Sequence, residues 1–326
     1  MKATLVTYHY VRPIKSSILP NIKGLELADF IEQIKYFSKN YDIISLDDLL
    51  DVTNLKTSKK LTPLVLTFDD GYKDHLEFVL PTLRKFQIKG AFFPVIDSCK
   101  NNKVLDVNKI HYLIAGCKEI KNLYIEVCSA ISLYREQFSL NEESFYKNMF
   151  YVKSRFGDDP ETMFIKKMLQ QGFPAALRNK LCNELCEKYL KLNEHQLNKI
   201  LYMNLDEVRE LAHFGMTIGG HSATHPWLPT LSEEEIKKEL DLTQDFVFNV
   251  YQKEIPWVMC YPYGSYDEKV IKILKTTKCN MALTTKHDLY DSKQDSKFTI
   301  PRLDTNNLPK TEGATNCHWL NTASGN

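Results

Sequence analysis

A buried-strand pattern that ends in two adjacent carboxylates is the feature that most constrains the fold of this chain. Residues 64–68 (Leu-Val-Leu-Thr-Phe) are apolar, β-branched or aromatic, which predicts a strand covered on both faces. Asp69 and Asp70 follow directly, and Gly71 lets the backbone turn. Parallel α/β proteins present catalytic groups at the carboxyl ends of such strands. The alternative is a polar turn without any chemistry.

A second segment, residues 219–226, follows another short apolar run and carries His221 and His225. Histidines four residues apart lie on one face of a helical turn, within reach of one metal ion. Two imidazoles and one carboxylate leave an open coordination position, which is typical of a catalytic metal site. The second carboxylate of the pair would then be free to act as a base. The alternative is a helix-start pair, with one imidazole capping the helix and the other exposed.

These segments together resemble the motifs of a known family. Residues 67–71 (Thr-Phe-Asp-Asp-Gly) and 221–226 (His-Ser-Ala-Thr-His-Pro) resemble the first two motifs of the polysaccharide deacetylases, carbohydrate esterase family four. Residues 261–264 (Tyr-Pro-Tyr-Gly) resemble the third motif, and residues 89–93 resemble the strand that follows the first. The resemblance covers roughly residues 1–97 and 200–305, and the three motifs occur in the family's order.

The resemblance implies a ligand set and a mechanism. Asp70, His221 and His225 would hold one divalent ion, zinc by preference, with cobalt or nickel as alternatives. Asp69 would take the proton of the attacking water. A backbone N–H at Tyr263 would bind the tetrahedral oxyanion.

The sequence departs from the family pattern in two places. The C-terminal Leu-x-His motif that supplies the general acid in many members is absent, and His9, at the end of the first predicted strand, takes that role in our hypothesis. Met-Cys-Tyr at 259–261 replaces the arginine that orients the base, so we expect Arg302 to reach Asp69 as a bidentate partner. Asp304 would orient His9. The alternatives are a histidine that merely packs and a salt bridge of Arg302 and Asp304 at the rim.

Short strand patterns alternate with helical patterns along the chain, which predicts an α/β fold. With the resemblance, this becomes a distorted, seven-stranded (β/α) barrel formed by residues 1–100 and 204–309. Residues 101–203 carry helical patterns and predict a large, mostly helical insertion on the catalytic face, for substrate selection or for homo-oligomerisation. Residues 310–326 are predicted to be a frayed polar tail. Ser232 and Glu235 form a capping box that predicts a helix start between these segments.

Composition excludes several classes of partner. The 42 lysines and arginines nearly balance the 41 acidic residues, so charge gives no case for nucleic acid or for an anionic membrane. No apolar run approaches the roughly 18 residues that a membrane-spanning helix needs. Residues 1–9 lack the features of a signal peptide, and the eight cysteines show no C-x-x-C spacing. We therefore expect a cytoplasmic protein with reduced thiols.

The resulting hypothesis is a metal-dependent hydrolase that removes an N-acyl group, acetyl by preference, from an amino sugar. We expect the substrate to be a precursor or lipid-linked unit of a surface glycan. The candidates for sugar-stacking faces are Tyr8, Tyr261, Trp227 and Trp257. The alternative, which is the more common one for aromatic residues beside barrel strands, is that they pack in the core. Two alternatives stay open: an amidohydrolase acting on a non-sugar N-acyl group or cyclic amide, and a non-catalytic glycan-binding relative.

Overall fold

A computed structural model describes residues 2–50, 61–154, 157–315 and 317–324. Contacts between residues divide the chain into two compact units. The α/β unit consists of Met1–Pro13, Gly24–Lys103 and Lys199–Asn326, and the helical unit consists of Ile14–Lys23 and Val104–Asn198. The helical unit thus includes an early segment of the chain that no pattern in the sequence assigned to it.

The regular elements follow in chain order. The strands are β1 (Lys2–Tyr8), β2 (Val11–Arg12), β3 (Leu25–Glu26), β4 (Asp42–Ile43), β5 (Pro63–Asp70), β6 (Ala91–Pro94), β7 (Thr217–Ile218), β8 (Trp257–Cys260), β9 (Cys279–Leu283), β10 (Tyr290–Asp291) and β11 (Leu303–Asp304). The α-helices are α1 (Leu27–Asn40), α2 (Leu46–Leu50), α3 (Leu80–Lys85), α4 (Ile96–Lys100), α5 (Asp106–Gly116), α6 (Ile120–Leu133), α7 (Glu143–Phe150), α8 (Pro160–Lys167), α9 (Ala175–Leu185), α10 (Glu194–Leu201), α11 (Leu205–His213), α12 (Glu233–Tyr251), α13 (Glu268–Leu274) and α14 (His318–Ser324).

The main sheet of the α/β unit has the strand order β10-β1-β5-β6-β7, with β11 also paired to β1 and β4 to β5. All of these pairings are parallel except that of β10. Strands β8 and β9 form a separate parallel pair, which single bridges connect to Gly220 and to Ile300. The α/β class is therefore confirmed. The closed seven-stranded barrel is not confirmed. In the described part of the chain, only isolated bridges connect the pair of strands β8 and β9 to its neighbours on either side.

Alternation along the strands places the site on one face of the sheet. Val65 on β5 and Phe93 on β6 belong to one buried apolar cluster, whereas Phe68 on β5 belongs to the other, larger one. Successive strand residues point to opposite faces, so Thr67 and Asp69 share the face of Val65. The first carboxylate of the pair is thus directed into the smaller cluster rather than toward the helices.

The helical unit contains α5 to α9 and most of α10. Its interior includes one fully buried lysine, Lys109, whose ammonium lies 2.9 Å from the Glu194 carboxylate. Asp106 forms a second ion pair with Arg178 at 2.8 Å. Across the described residues of the chain, no helix is both long enough and apolar enough to cross a bilayer.

The carboxyl-terminal segment is not the frayed polar tail that the sequence predicted. Helix α14 brings Trp319, Leu320 and Ala323 against the large apolar cluster of the α/β unit. The Trp319 ring also lies 4.9 Å from the ring of His287. Three apolar residues within one helical turn and a half are too few to register as a periodic pattern, but they are enough to dock a short helix.

Gly220 should be intolerant of a side chain. A Cβ atom there would lie 2.1 Å from Thr243 Cγ2 and 2.9 Å from the Trp257 ring, both of them buried. We expect Gly220→Ala to lower the free energy of unfolding by about 1–3 kcal/mol, because overpacking displaces neighbours. The measurement is the urea midpoint. Gly313→Ala is the control, since a Cβ atom added at Gly313 would meet nothing within 4 Å. Equal midpoints for the two variants would contradict the prediction.

Candidate active site

The paired carboxylates lie where strand β5 stops being extended. Asp70 has a left-handed φ of 71°, and Gly71 follows with a φ of 76°. A Cβ on Gly71 would come within 2.7 Å of Pro94 Cβ, so the turn also needs the missing side chain. This geometry ends β5 sharply at the second of the two carboxylates, and both carboxylates lie beside His221.

The two histidines are brought together by a loop and not by the helical turn that the sequence predicted. Ser222 and His225 have left-handed φ values of 64° and 59°, which no helix contains. The loop is held by Glu239 of α12, whose carboxylate accepts hydrogen bonds from the backbone N–H groups of Ala223 and Thr224 at 2.8 and 3.0 Å. The loop coils on itself and returns His225 toward His221, whose ring lies 4.8 Å away.

Asp70, His221 and His225 converge on one point. Asp70 Oδ1 lies 3.3 Å from His221 Nε2 and 3.7 Å from His225 Nε2, and all three side chains are buried. Nδ1 of His221 lies 2.7 Å from the carbonyl oxygen of Cys260. The other oxygen of Asp70 accepts a hydrogen bond from the Tyr72 hydroxyl at 2.5 Å. The Cys260 carbonyl thus fixes the His221 ring, and the Tyr72 hydroxyl fixes the Asp70 carboxylate.

Asp70 and the two histidines shift one another's pKa values. Burial raises the pKa of Asp70, but the hydrogen bond from His221 and the charges of His225, His9 and His221 outweigh it and hold the pKa well below its usual range. Burial lowers the pKa of His221, yet Cys260 and Asp70 reverse this, and the net pKa lies well above the ordinary value. Burial first, and then the charge of His221, lowers the pKa of His225 to about 3.

The same three residues fit a divalent ion. Their ligand atoms all lie within 4.8 Å of one another, and the donor set of two imidazoles and one carboxylate is one that catalytic zinc sites use. In a metal-binding histidine the second ring nitrogen is normally anchored, as Nδ1 of His221 is by Cys260. Nδ1 of His225 is buried and has no hydrogen-bond partner among the described residues.

Asp69 has a different environment from its neighbour. Arg302 Nη1 donates to Asp69 Oδ1 at 2.8 Å, and Nη2 donates to Oδ2 at 2.7 Å, which is the bidentate contact that our hypothesis required. Thr7 Oγ1 also donates to Oδ2 at 3.2 Å. Burial raises the pKa of Asp69, but the Arg302 charge and its hydrogen bonds dominate, and the pKa lies well below the usual range. The carboxylate is ionised and held in one orientation.

A second group, Asp69, His221 and Cys260, also places ligand atoms within 4.8 Å of one another. A guanidinium already occupies this place. Arg302 Nη2 lies 3.0 Å from Cys260 Sγ and 2.7 Å from Asp69, so a cation would meet direct repulsion there. Burial raises the pKa of the Cys260 thiol. Of the two groups, only the one that contains Asp70 suits a metal.

His9 is exposed and directly follows β1. Two hydrogen bonds and one ion pair, which together form a clamp, hold the backbone at His9 and just after it. His75 Nε2 lies 3.0 Å from the His9 carbonyl oxygen, and Asp74 accepts a hydrogen bond from Val11 N at 3.1 Å. Arg12 completes the clamp through an ion pair with Asp74 at 2.7 Å. The imidazole of His9 is close enough to both site aspartates for its charge to lower the pKa of each.

Asp304 does not have the role that the sequence suggested. Its Oδ1 accepts hydrogen bonds from the backbone N and from Nδ2 of Asn306, at 2.8 and 2.7 Å, so it caps a short 3-10 turn. Within the described residues it forms no hydrogen bond or ion pair with His9. An acidic residue directly before a turn is satisfied locally, and this preference competes with any distant partner. The proposed Asp304–His9 pair is therefore wrong, and so is the rim salt bridge between Arg302 and Asp304, since Arg302 is buried on Asp69.

The predicted sugar-stacking residues are mostly core. Tyr261 is buried and its hydroxyl donates to the Phe298 carbonyl at 3.1 Å. Tyr8 donates to Gln33 at 2.6 Å, and Trp257 is likewise buried. These three side chains have no face to offer a substrate, because aromatic rings beside buried strands gain more from packing than from solvent contact.

Tyr263 and Trp227 are the exceptions. Tyr263 has a left-handed φ of 57° and is 37% exposed, whereas Trp227 is 45% exposed. Their rings are stacked, with centroids 4.4 Å apart and an interplanar angle of 6°. The Tyr263 ring also touches the ring of His225, at a centroid distance of 4.5 Å. These two predicted residues therefore border the candidate metal position.

Sequence reasoning missed the residues that hold the predicted ones in place. Thr7 and Thr67 bind the Asp69–Arg302 pair, and the signal for them was a polar residue on the inner face of an apolar strand. Glu239 holds the histidine loop, and its signal was an acidic residue on the apolar stripe of a helix. Tyr72 and Cys260 carry no comparable signal, because nothing in their local sequence indicates which distant group they meet.

Comparisons with known proteins identify the family of this chain. The profile of the polysaccharide deacetylase family matches residues 56–121 and 147–282 of the sequence. That match spans more than half of the chain, and the chain therefore belongs to the polysaccharide deacetylase family. Among curated protein sequences, none matches this chain.

Three solved structures of similar fold are the following. The deacetylase PplD of Streptococcus pyogenes, solved with acetate, is 14% identical with a TM-score of 0.55, over 95% of this chain and 93% of that one. A de-N-acetylase of Aggregatibacter actinomycetemcomitans is 13% identical with a TM-score of 0.52, over 94% and 96%. IcaB of Ammonifex degensii is also 13% identical with a TM-score of 0.52, over 99% and 96%. At such identities the likeness concerns the fold.

The Asp69–Arg302 pair gives a stability prediction. Arg302→Ala should lower the free energy of unfolding by about 3–5 kcal/mol, because it leaves an ionised carboxylate buried without its partner. Adding Asp69→Asn to that variant removes the buried charge and should restore part of the loss. Urea unfolding of the two single variants and the double variant measures the coupling. Additive losses would show that the pair contributes nothing as a pair.

Proposed function

We propose that this protein is a metal-dependent hydrolase that removes the N-acetyl group from an amino sugar. The observation that carries the proposal is the arrangement around the two adjacent carboxylates. Asp70 faces two buried imidazoles, and Asp69 is held in a fixed orientation by Arg302. A ligand set directly beside an ionised base is what hydrolysis of an unreactive amide requires.

Asp70, His221 and His225 would hold the divalent ion, zinc by preference. When bound, such an ion polarises the amide carbonyl and acidifies the attacking water. Asp69 accepts the proton of that water. Arg302 holds both oxygens of Asp69, so the carboxylate does not rotate away from the water, and Thr7 restricts it further.

Two steps remain, namely stabilisation of the oxyanion and protonation of the departing amine, and we assign them to Tyr263 and His9. The backbone N–H of Tyr263 would donate to the oxyanion of the tetrahedral intermediate; in support, the ring of Tyr263 lies 4.5 Å from the ring of His225. His9 protonates the departing amine as the general acid. Its exposure gives it access to a substrate, and the clamp from Asp74 and His75 fixes the backbone that carries it.

The substrate class rests on family membership and on the kind of group that the site can attack. One structural neighbour is described as a de-N-acetylase, and another was solved with acetate, which is the acid that such a reaction releases. We propose an acetylated amino sugar that is a precursor or a lipid-linked unit of a surface glycan. A protein that binds such a glycan without cleaving it, or one that cleaves a non-sugar amide, would be distinguished by the measurement that follows.

The wild-type protein loaded with zinc should release acetate from N-acetylated amino sugars. Asp69→Asn should retain the metal and lose about 100-fold or more in turnover, because it removes only the proton acceptor. Asp70→Ala and His221→Ala should lose both metal and activity. Metal content by elemental analysis and acetate release by an enzyme-coupled assay provide the two measurements.

Two outcomes would change the assignment. Full metal occupancy in His221→Ala would remove the ligand set that we propose, and loss of metal in Asp69→Asn would exchange the roles of the two aspartates. Saturable sugar binding without acetate release would make the protein a glycan-binding relative. Acetate release from non-sugar amides alone would make it an amidohydrolase of another class.

His9 can be tested by the choice of leaving group. His9→Ala should depress turnover of an acetamide by about 100-fold, yet have little effect on an activated aryl acetate ester, whose leaving group needs no proton. Metal content should be unchanged. His287→Ala serves as the control, since its ring packs on Trp319. Equal losses on both substrates in His9→Ala would exclude it as the general acid.

A further inference from the structure

The hydroxyl group of Tyr72 makes a contact that the proposed mechanism does not use. Asp70 has two carboxylate oxygens in different surroundings. Its Oδ1 lies 3.3 Å from His221 Nε2 and 3.7 Å from His225 Nε2, whereas its Oδ2 accepts the hydrogen bond of the Tyr72 hydroxyl at 2.5 Å. All four side chains are buried. One oxygen of Asp70 therefore faces the other two candidate ligands, and the second oxygen is bound by the phenol.

The phenol ring of Tyr72 is itself held in place. Its centroid lies 4.3 Å from that of Tyr10 and 5.7 Å from that of Tyr202, and the second pair is stacked. The backbone of Tyr72 forms a β-bridge with Tyr202, and its carbonyl oxygen accepts a hydrogen bond from His75 N at 3.0 Å. Since the ring is packed and the backbone is bonded, the hydroxyl group cannot move to another acceptor without breaking these contacts.

A neutral donor suits this position better than a cation does. Arg302 binds both oxygens of Asp69 and so places a positive charge beside each of them, which disfavours a metal ion there. A hydroxyl group is neutral and has one hydrogen to donate, so Tyr72 engages one oxygen of Asp70 and leaves the negative charge of the carboxylate for an ion. The two adjacent carboxylates thus differ in whether an oxygen is left for a metal.

The number of carboxylate oxygens on an ion determines how many coordination positions remain. A carboxylate can bind a cation through one oxygen or through both. Catalytic zinc sites keep a position open for water or substrate, and a second Asp70 oxygen would take up such a position. Hydrogen bonds that fix the orientation of a metal-binding side chain also strengthen metal binding.

We propose that Tyr72 is a positioning residue that restricts Asp70 to binding the metal ion through one oxygen. The inference rests on the ligand set of the proposed function and deepens it, because it assigns the residue that controls how Asp70 binds. Tyr72 fixes the orientation of Asp70, which strengthens metal binding, and it keeps a coordination position open for the reaction. Without the hydroxyl group, Asp70 rotates and places both oxygens on the ion.

The variant Tyr72→Phe tests the proposal, since it removes the hydroxyl group and keeps the ring that packs on Tyr10 and Tyr202. Zinc should bind about 10- to 100-fold more weakly than in the wild type, as measured by competition with a chromophoric chelator. In the cobalt(II)-loaded protein, the molar absorbance of the visible band should fall several-fold, because cobalt(II) absorbs less strongly as its coordination number rises. A tyrosine that only supported the fold would not change this spectrum.

Tyr8→Phe is the matched control. The Tyr8 hydroxyl is also buried in the α/β unit, and it donates to Gln33 Oε1 at 2.6 Å. This variant removes a buried hydrogen bond of similar length that involves no candidate metal ligand, so its zinc affinity and cobalt spectrum should equal those of the wild type.

Thermal unfolding of the metal-free proteins checks that both variants are folded. If metal-free Tyr72→Phe is unfolded, Tyr10→Leu takes its place. That variant removes one of the rings that hold Tyr72 and should change zinc affinity and the cobalt spectrum in the same directions.

The inference and the proposed function fail in different ways. A zinc affinity or a cobalt spectrum in Tyr72→Phe equal to that of the wild type would overturn the inference, and so would equal losses of zinc affinity in Tyr72→Phe and Tyr8→Phe. The proposed function fails if the wild type releases no acetate or binds zinc no better than His221→Ala does. If the wild type binds zinc and releases acetate while Tyr72→Phe matches it in both measurements, the role of Tyr72 is overturned and the proposed function stands.

Discussion

The buried ion pair between Arg302 and Asp69 is the interaction on which the α/β unit's site depends. One guanidinium binds Asp69 and Thr67 of β5, contacts Cys260 of β8 and donates to the Thr284 carbonyl directly after β9. A planar donor with fixed directions can satisfy all of these groups only when the three strands lie at the correct distances. Burying two charges costs several kcal/mol per ion before pairing offsets it, so a displaced strand would leave the arrangement strongly unfavourable.

Two carboxylates that are adjacent in sequence are kept chemically distinct by their neighbours. The guanidinium of Arg302 binds both carboxylate oxygens of Asp69 and keeps this carboxylate ionised and in one orientation. Asp70 faces imidazoles, whose charge depends on what else is bound there, so it can share a metal ion or a proton. The left-handed turn at Asp70 keeps both carboxylates beside His221, because in a regular strand the second carboxylate would point to the opposite face.

Backbone strain is concentrated at the same place. Asp70, Ser222, His225 and Tyr263 all have left-handed φ values, although none of them is glycine. Each such residue costs on the order of 1–2 kcal/mol relative to an ordinary conformation. The surrounding contacts offset this cost: Glu239 holds the histidine loop, and the turn at Tyr263 is packed so closely that a Cβ on Gly264 would lie 2.0 Å from Thr285 Oγ1. Contacts within the α/β unit thus hold these residues in backbone conformations that the isolated segments would not prefer.

The sequence by itself determined the features that depend on local pattern. The α/β class, the carboxylates at the end of β5, the family and the capping box of Ser232 and Glu235 all follow from residue types at short spacing. Tertiary structure decided which distant groups meet. In the folded chain Arg302 binds Asp69, whereas Asp304 caps a local turn. Tyr261 is buried and Trp227 is exposed. The two histidines lie on a loop and not on a helix. These outcomes depend on strand register and on competition between partners far apart in the chain, and no local pattern encodes either of them.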